Sequence, residues 1–208
     1  DVVGYTTNTG LIDLVNRVTT LETVSPARVI WVADDGTGDY ASLSSALAAI
    51  TDATSSNPYV IKIAPGTYTE TANVVLKTYV DVEGSGQNTT TINCACSSNN
   101  FDASSAVISA GAITAEIRHL TINNTGGSNA ASFGVYTNGV ADGSFSMLHV
   151  TATATDGQFN NHGVSNRSSS SPTMNNVTAT ATGGADDNYG VYNFLSSPTM
   201  NNVTATAT

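Results

Sequence analysis

The sequence predicts an all-β fold, a parallel β-helix in which short strands stack from one coil to the next. Three observations predict it: an exact repeat, a second marker with the same period, and alternation of apolar and polar residues. Residues 170–182 recur letter for letter at residues 196–208, an offset of 26. An identity of this length shows an internal repeat and not a chance match.

The second marker is a Gly-Val pair that keeps step with the repeat. It begins at Gly134, Gly163 and Gly190, which are 29 and 27 residues apart. The apolar positions that anchor the repeat have a similar spacing of 30, 27 and 26 residues, and they are Leu120, Val150, Val177 and Val203. Two markers with one period indicate a repeating structural unit.

Alternation within the unit identifies it as a strand. Over residues 177–182, Val and Ala alternate with Thr, which places Val177, Ala179 and Ala181 inward and the threonines outward. A unit of 26–30 residues built of short strands leaves no room for a helix. We therefore expect one turn per repeat, with equivalent strands paired about 4.8 Å apart.

The segment before the repeats predicts a cap. Strands are expected at 28–33, 59–64, 74–76 and 80–82, with a turn at 65–68. A helix capped by Ser42 or Ser44 runs through Ile50 and carries one apolar face. We expect this helix to cover the open end of the solenoid. Residues 28–106 then form the cap and first coils, and residues 107–208 form the repeats.

The first 27 residues have a different pattern. In residues 11–27, apolar positions spaced 3, 4 and 3 predict a short amphipathic heptad helix, and they are Leu11, Leu14, Val18 and Leu21. This helix either packs on the solenoid or serves as an oligomerising stalk. Residues 1–10 are polar, and we expect a flexible arm or a strand added to a neighbour's sheet edge.

Charge and hydropathy limit the partners and the compartment. The net charge is −10, and six Lys and Arg residues cannot neutralise many phosphates, so nucleic acid and anionic membranes are disfavoured. The sequence contains no run of 18 apolar residues, so it predicts no membrane-spanning helix. A start at Asp1 without a leader suggests a processed chain or a fragment, and we expect an extracellular or cell-surface location. For Cys94 and Cys96, free thiols, an intermolecular link and a strained local disulfide all stay open.

Three motifs, in residues 32–43, 61–68 and 82–86, resemble the N-terminal part of pectin methylesterase-like proteins. The resemblance covers about residues 29–93 and implies a right-handed parallel β-helix. The Thr-Ala-Thr coils look like those of bacterial surface proteins that reuse this cap. Pectin methylesterases use an aspartate nucleophile, a second aspartate and a glutamine in Gln-Asp and Asp-Phe motifs, and neither motif occurs here.

The remaining titratable residues also predict no catalysis. We expect the acidic residues after position 100 to lie in turns, except Glu116, which we expect to pair with Arg118 on a strand. Adjacent Asp186 and Asp187 should diverge, whereas paired carboxylates must converge. His119 and His149 share one repeat position, and His162 takes the place of Phe133 and Tyr189, which indicates stacking ladders. We expect no catalytic residue, cofactor or metal site, and no enzyme.

The sequence therefore predicts a non-enzymatic extracellular structural or adhesive solenoid. Because the chain stops within a coil at Thr208, we expect self-association, with head-to-tail assembly into a filament or surface layer. One alternative is a binding face for carbohydrate or ice, formed by Thr151, Thr153, Thr155, Thr178, Thr180, Thr182, Thr204, Thr206 and Thr208. A tyrosine row at Tyr136 and Tyr192 offers a second place for polysaccharide. The other alternative is a pectin methylesterase-like carbohydrate esterase.

Glycosylation is a further expectation. The sequence contains five Asn-X-Ser/Thr acceptor motifs, at Asn88, Asn123, Asn166, Asn176 and Asn202. Asn176 and Asn202 occupy equivalent corners of two repeats, where a ladder of hydrogen-bonded asparagines is an alternative explanation.

Overall fold

Parallel strands build nearly all of the structure, a computed structural model that describes residues 27–208. The chain winds into an all-β parallel solenoid of about seven turns, as the repeat predicts. The predicted N-terminal arm and heptad helix lie outside the described residues. The predicted boundary between residues 106 and 107 falls within a strand, and strands on both sides of it pair in the same sheets.

The described elements are one α-helix, one 3-10 turn and fourteen strands. The helix α1 spans Leu43–Ala49 and the 3-10 turn spans Ala103–Ser105. The strands are β1 (Arg28–Val32), β2 (Tyr59–Ile63), β3 (Gly66–Glu70), β4 (Val74–Val75), β5 (Val80–Gly84), β6 (Thr90–Cys94), β7 (Ala106–Ala110), β8 (Ala115–Asn124), β9 (Ala131–Asn138), β10 (Phe145–Ala154), β11 (Asn160–Arg167), β12 (Thr173–Ala181), β13 (Asn188–Phe194) and β14 (Thr199–Ala207).

Two sheets run along the solenoid axis. The first has the order β1-β2-β5-β8-β10-β12-β14, with β6 pairing both β3 and β8, and the second has the order β4-β7-β9-β11-β13. The ladders between these strands are parallel. In the first sheet Val150 pairs with Leu120 on one side and with Val177 on the other, and Val177 pairs with Val203. These are the anchor positions of the repeat, so the predicted register is confirmed.

The core is the narrow space between the two sheets. Val177, Ala179 and Ala181 are buried there, whereas Thr178 is exposed, as the alternation predicts. In the earlier strand β8, the larger side chain of Ile122 takes the place of Ala152 and Ala179, and it is also buried. Alanine suffices in the later coils because opposite strands of a solenoid approach closely.

The long strands of the first sheet bend at one repeated corner. His119, His149, Asn176 and Asn202 all have positive φ, between 51° and 56°. The corner lets the two halves of β8 pair with different strands, β5 and β6. The side chains at the corner stack, because Asn202 Nδ2 donates to Asn176 Oδ1 over 2.6 Å and the two histidine rings lie 5.2 Å apart. The ladder of equivalents predicted at this position is therefore present.

The cap closes the first turn as expected, with one change. Ser42 caps α1, since its hydroxyl accepts from the Ser45 amide, and the helix buries Leu43 and Leu47. Residues 65–68 were expected to be a turn, but Gly66–Glu70 forms β3 and pairs with β6. The sequence did not predict this strand because Pro65 and Gly66 are typical of turns. Its inward residue Tyr68 is buried under the cap.

Cys94 and Cys96 form a disulfide within the chain, with their Cα atoms 5.2 Å apart. Of the possibilities that the sequence left open, the structure contains the local bridge. Both cysteines are buried. The helix in the described residues is too short to cross a membrane.

Candidate functional site

Aromatic side chains cover the outer face of the second sheet. Strand register stacks Phe133, His162 and Tyr189 in one row from β9 to β13. A second row contains Tyr136 and Tyr192, with Ser165 between them. These rings form a cluster outside the main core. The first row is the ladder predicted at position 162, and the second is the predicted tyrosine row.

A glycine between the two rows brings both to one face. A Cβ on Gly163 would lie 2.7 Å from the Thr180 amide nitrogen and 2.7 Å from the Gly190 carbonyl oxygen. This position therefore faces inward against backbone and tolerates no side chain. The residue before each glycine and the residue after the following valine turn outward, whereas the valine packs in the main core. The Phe133 and Tyr136 rings lie 6.1 Å apart, nearly parallel.

Contacts between the rings hold the aromatic rows together. The His162 ring lies 4.6 Å from the Phe133 ring and 4.6 Å from the Tyr192 ring, and it stacks on both. Phe101, which comes from the loop after β6, lies 6.4 Å from Phe133. Such offset ring pairs contribute about 0.5–1.5 kcal/mol each beyond the area that they bury. The rings therefore form a stiff platform.

Arg167 lies over this platform. Its guanidinium carbon is 4.9 Å from the Tyr192 ring centre and 5.4 Å from the Phe101 ring centre, with Phe133 and Phe194 also in reach. Its Nε donates to the Ser165 hydroxyl over 3.2 Å. Within residues 27–208, no carboxylate oxygen lies within 4.0 Å of its nitrogens. The cation is thus oriented by rings, and its terminal donors stay available to an anionic or carbonyl oxygen.

A cleft of about 290 Å³ opens at this point of the sheet. Its lining residues are Phe101, Asn160, His162, Arg167, Asp187, Tyr189 and Tyr192. Asp187 is the single carboxylate among them, and its Oδ1 accepts from the Tyr189 hydroxyl over 3.4 Å. The negative charge of Asp187 raises the pKa of Tyr189, so this hydroxyl stays protonated.

His162 is the buried polar group of the cleft. It is 2% exposed, and its Nδ1 has no hydrogen-bond partner. Burial, followed by the positive charge of Arg167, lowers the pKa of His162 to about 3. The imidazole is therefore neutral near pH 7, and it serves as a flat ring in the platform and not as a cation.

The cleft combines three chemical capabilities. Ring faces stack on the apolar C–H faces of sugars, a guanidinium stabilises negative charge on oxygen, and a carboxylate accepts a proton. The described residues contain no cluster of three or more His, Cys, Asp or Glu arranged for a metal ion. The arrangement suits a carbohydrate with a carboxyl or ester group.

Comparison with known families decides the classification. The pectinesterase family model matches residues 29–147, which is more than half of the chain. The chain belongs to the pectinesterase family. The match includes Phe101, Phe133 and Tyr136 of the aromatic cluster and ends before the coils that supply His162, Arg167 and Asp187.

Solved structures share the solenoid of this pectinesterase-family chain. Pectin methylesterase from carrot matches with a TM-score of 0.54 and 19% identity, over 78% of this chain and 55% of the carrot chain. The enzyme from Yersinia enterocolitica matches with a TM-score of 0.54 and 16% identity, over 81% and 66%. PemA from Erwinia chrysanthemi matches with a TM-score of 0.52 and 18% identity, over 88% and 67%. This chain thus spans about half the length of the carrot enzyme, and likeness at these identities shows the fold alone. No curated protein matches the sequence.

The family assignment corrects two predictions. A non-enzymatic structural or adhesive solenoid is the wrong main interpretation, and the expectation of no enzyme is also wrong, because the chain belongs to a family of carbohydrate esterases and has their fold. The absence of Gln-Asp and Asp-Phe motifs does not exclude membership of this family. The alternative of a pectin methylesterase-like esterase is the better supported one.

The predicted threonine face lies elsewhere in this pectinesterase-family solenoid. It is on the outer face of the first sheet, where Thr151, Thr178 and Thr204 stand in one row. The predicted pairing of Glu116 with Arg118 is also on this sheet, over 2.7 Å, and Arg118 bonds to Glu83 as well. None of these residues lines the cleft, and binding by the threonines stays a prediction.

The five predicted glycosylation sites differ in accessibility. Asn88 is exposed, whereas Asn166 is fully buried and bonds to Thr137 and Asn193. A glycan at Asn166 would have to be added before its coil folds. Asn123 bonds to its neighbours in adjacent coils, and Asn176 belongs to the corner ladder. Modification at these sites stays a prediction.

Sequence reasoning missed Arg167, Asp187 and Phe101 as members of one site. A signal for Arg167 was present in the sequence. Ser165 occupies the position of Tyr136 and Tyr192 in the repeat, and Arg167 follows it two residues later, so on a strand both side chains lie on one face. Phe101 gave none, since it comes from outside the repeat. Asp187 was interpreted as a turn residue, and only the register of β13 on β11 brings it to the cleft.

Proposed function

We propose that this chain is a carbohydrate esterase that removes methyl esters from an extracellular polysaccharide. Its membership of the pectinesterase family is the observation that carries the proposal. The aromatic cleft supports it, because stacked rings with one carboxylate and one guanidinium fit a sugar ester. A pectin methylesterase of similar fold has been solved in complex with a hexasaccharide, with a TM-score of 0.50 and 17% identity.

The proposed reaction uses Asp187 as the general base. As the oxygen of a water molecule bonds to the ester carbonyl carbon, Asp187 accepts the proton of that water. Negative charge then develops on the carbonyl oxygen, and Arg167 stabilises it. When the carbon–oxygen bond to the methoxy group breaks, Asp187 returns the proton, and the products are methanol and a carboxylic acid.

The platform orients the substrate in this scheme. A sugar ring contacts the exposed part of Tyr189 in the cleft that Arg167 also lines. His162 lies buried among the other rings, and its neutral imidazole adds no positive charge that would compete with the guanidinium. Fixing the ester between base and cation lowers the entropic cost of reaching the transition state. The rings therefore contribute to orientation, and Asp187 and Arg167 act on the reacting atoms.

An extracellular location is part of the proposal. The substrate class is a polymer of cell walls and matrices, and a buried disulfide such as Cys94–Cys96 is typical of proteins from oxidising compartments. Self-association and polysaccharide binding outside the cleft stay predictions.

Methanol release from methyl-esterified pectin tests the esterase proposal. Asp187→Asn keeps the shape of the side chain but removes the base, and we expect release to fall by about 100-fold or more. Asp186→Asn is the matched control, because Asp186 is an adjacent exposed carboxylate that does not line the cleft. Equal activity of the two variants would contradict the role of Asp187, and no release by the unmodified chain would contradict the function.

A second candidate function is sugar binding without hydrolysis. The single carboxylate in the cleft favours it, since glycan-processing sites commonly pair two acidic groups. Titration of a methyl-esterified hexagalacturonide distinguishes the two candidates, because binding with no methanol release indicates a binding module.

A further inference from the structure

Residues 95–102, called the strap here, connect the first sheet to the second and pass beside the cleft. The Cys94–Cys96 disulfide fixes the start of the strap. Further along, Ser98 exchanges two backbone hydrogen bonds with Ala131 at the start of β9, with lengths of 3.2 and 2.9 Å. The strap is therefore attached to the strand that carries Phe133.

Asn124 is a buried hub beneath the strap. Its Nδ2 donates to the carbonyl oxygens of Cys96, Ser105 and Phe133 over 2.7, 3.0 and 2.8 Å. Its Oδ1 accepts from the amides of Cys96 and Gly126 over 3.1 and 3.0 Å. One amide group thus joins the start of the strap, and the 3-10 turn that follows the strap, to the backbone of the platform. The residue is fully buried, so these bonds are shielded from water.

Asn129 attaches the strap from the outer side. Its Nδ2 donates to the Ser97 carbonyl oxygen over 3.1 Å and reaches the Ser97 hydroxyl over 3.3 Å. The far end is fixed by Ser105, whose hydroxyl donates to the Asn100 carbonyl oxygen over 2.6 Å. On the other side of the ring, the Ser105 amide donates to the Asp102 carbonyl oxygen over 3.2 Å, so the strap is attached on both sides of the ring that it carries.

That ring is Phe101. It lies 6.4 Å from Phe133, and the Arg167 guanidinium lies 5.4 Å from its centre. Phe101 is 42% exposed, and its free part lines the cleft. It is the one lining residue that comes from outside strands β11 and β13 and the loops that precede them.

We propose that Phe101 is a specificity-determining wall of the cleft and that Asn124 is its positioning residue. The inference rests on the proposed function and adds to it that substrate affinity depends on the strap. Phe101 faces the sugar from the side of the cleft. Asn124 acts through the strap and does not touch the substrate.

Steady-state kinetics of methanol release from pectin test the wall. Phe101→Ala removes the ring, and we expect KM to rise about tenfold with kcat changed less than twofold, since an aromatic contact of this kind contributes about 1.4 kcal/mol. Phe101→Tyr keeps the ring and should restore the KM of the unmodified chain. Phe159→Ala is the matched control, because Phe159 is 37% exposed and does not line the cleft.

Double variants test the positioning role. Asn124→Ser and Asn129→Ala should each raise KM, and neither should raise it further when Phe101 is already Ala, because both act through that ring. Asn129→Ala changes a partly buried group at the edge of the fold, so it decides the question if Asn124→Ser does not fold. Additive effects of Asn129→Ala and Phe101→Ala would overturn the positioning role of the strap.

The outcomes separate this inference from the proposed function. If Phe101→Ala and Phe159→Ala release methanol with the same KM, the proposed role of Phe101 is contradicted, whereas the esterase proposal stands. If the unmodified chain releases no methanol, the esterase proposal fails. The dissociation constant of a methyl-esterified hexagalacturonide then tests whether Phe101 contributes to substrate binding. A roughly tenfold weaker binding by Phe101→Ala supports this role, whereas unchanged or absent binding overturns it.

Discussion

At the scale of single residues, position in the repeat and chemical role are separate properties. His162 occupies the same ladder position as Phe133 and Tyr189 and serves as a ring. Its buried Nδ1 without a partner gives it a second property, since burial lowers its pKa to about 3. A residue that is structural in the ladder therefore makes stability depend on pH.

We predict that the stability of the solenoid falls as the pH drops below about 6.5. The unfolded chain binds a proton on His162 near its ordinary pKa of about 6.5, whereas the folded chain does so only near 3. Between these pH values, protonation of His162 stabilises the unfolded state alone, and it lowers the free energy of unfolding by about 2 kcal/mol at pH 5. His162→Phe should remove this part of the slope in urea denaturation at pH 7 and pH 5.

Tyr189→Phe is the control for this prediction, because it changes the same row without removing an imidazole. It should keep the slope of the unmodified chain. If His162→Phe loses as much stability as the unmodified chain between pH 7 and pH 5, the histidine is not the cause.

At the scale of elements, the glycine row sets the separation of the two sheets at the cleft. Gly134, Gly163 and Gly190 recur once per turn and face backbone of the neighbouring coil and the opposite sheet. Two aromatic rows can face outward together because the two residues between them both face inward, a glycine without a side chain and a valine that packs in the core. The glycines thus connect the periodicity of the sequence with the geometry of the site.

Gly163→Ala should therefore destabilise the fold. The added Cβ would lie 2.7 Å from backbone atoms that cannot move without separating the sheets, and we expect a loss of about 1–3 kcal/mol in the free energy of unfolding. Gly111→Ala is the matched control, because no atom lies within 4 Å of its added Cβ and its φ is not positive. Similar thermal denaturation curves for the two variants would contradict the steric argument.

At the scale of the whole molecule, each coil contacts its immediate neighbours through a constant register. Val150, Val177 and Val203 are interchangeable anchors, and the strands that follow each of them pair in the same way. In such an array stability is nearly a sum of coil and interface contributions. The solenoid should therefore tolerate the loss of one complete coil.

Deletion of residues 156–182 tests this additivity. The deletion removes β11 and β12 and places β13 and β14 on β9 and β10 with the anchors in register. We expect a folded chain with one cooperative thermal transition in circular dichroism and a midpoint lowered by several degrees. Methanol release should be lost, because His162 and Arg167 are removed.

An out-of-phase deletion is the control. Removal of residues 156–175 ends within a strand and shifts the inward and outward positions relative to the neighbouring coil. This variant should not fold. Equal stability of the two deletions would show that coil register does not control assembly.

The fold was largely predictable from the sequence because a solenoid repeats its local signals. The period, the inward Val and Ala, and the Ser42 cap all follow from spacing and side-chain type, and the structure confirms them. Strand β3 was missed because Pro65 and Gly66 are typical of turns, whereas pairing with β6 decides its conformation.

The sequence by itself determined the solenoid, its register and the rows of equivalent residues, because these depend on neighbours one period apart. Only the tertiary structure decided which rows share a face with the strap, and so brought Phe101, Arg167 and Asp187 to one cleft. The separation between these residues in the chain follows no repeat. Their proximity depends on a loop that crosses between sheets and on the close contact of the repeated glycines with the opposite sheet. Neither contact can be recognised from neighbouring residues in the sequence.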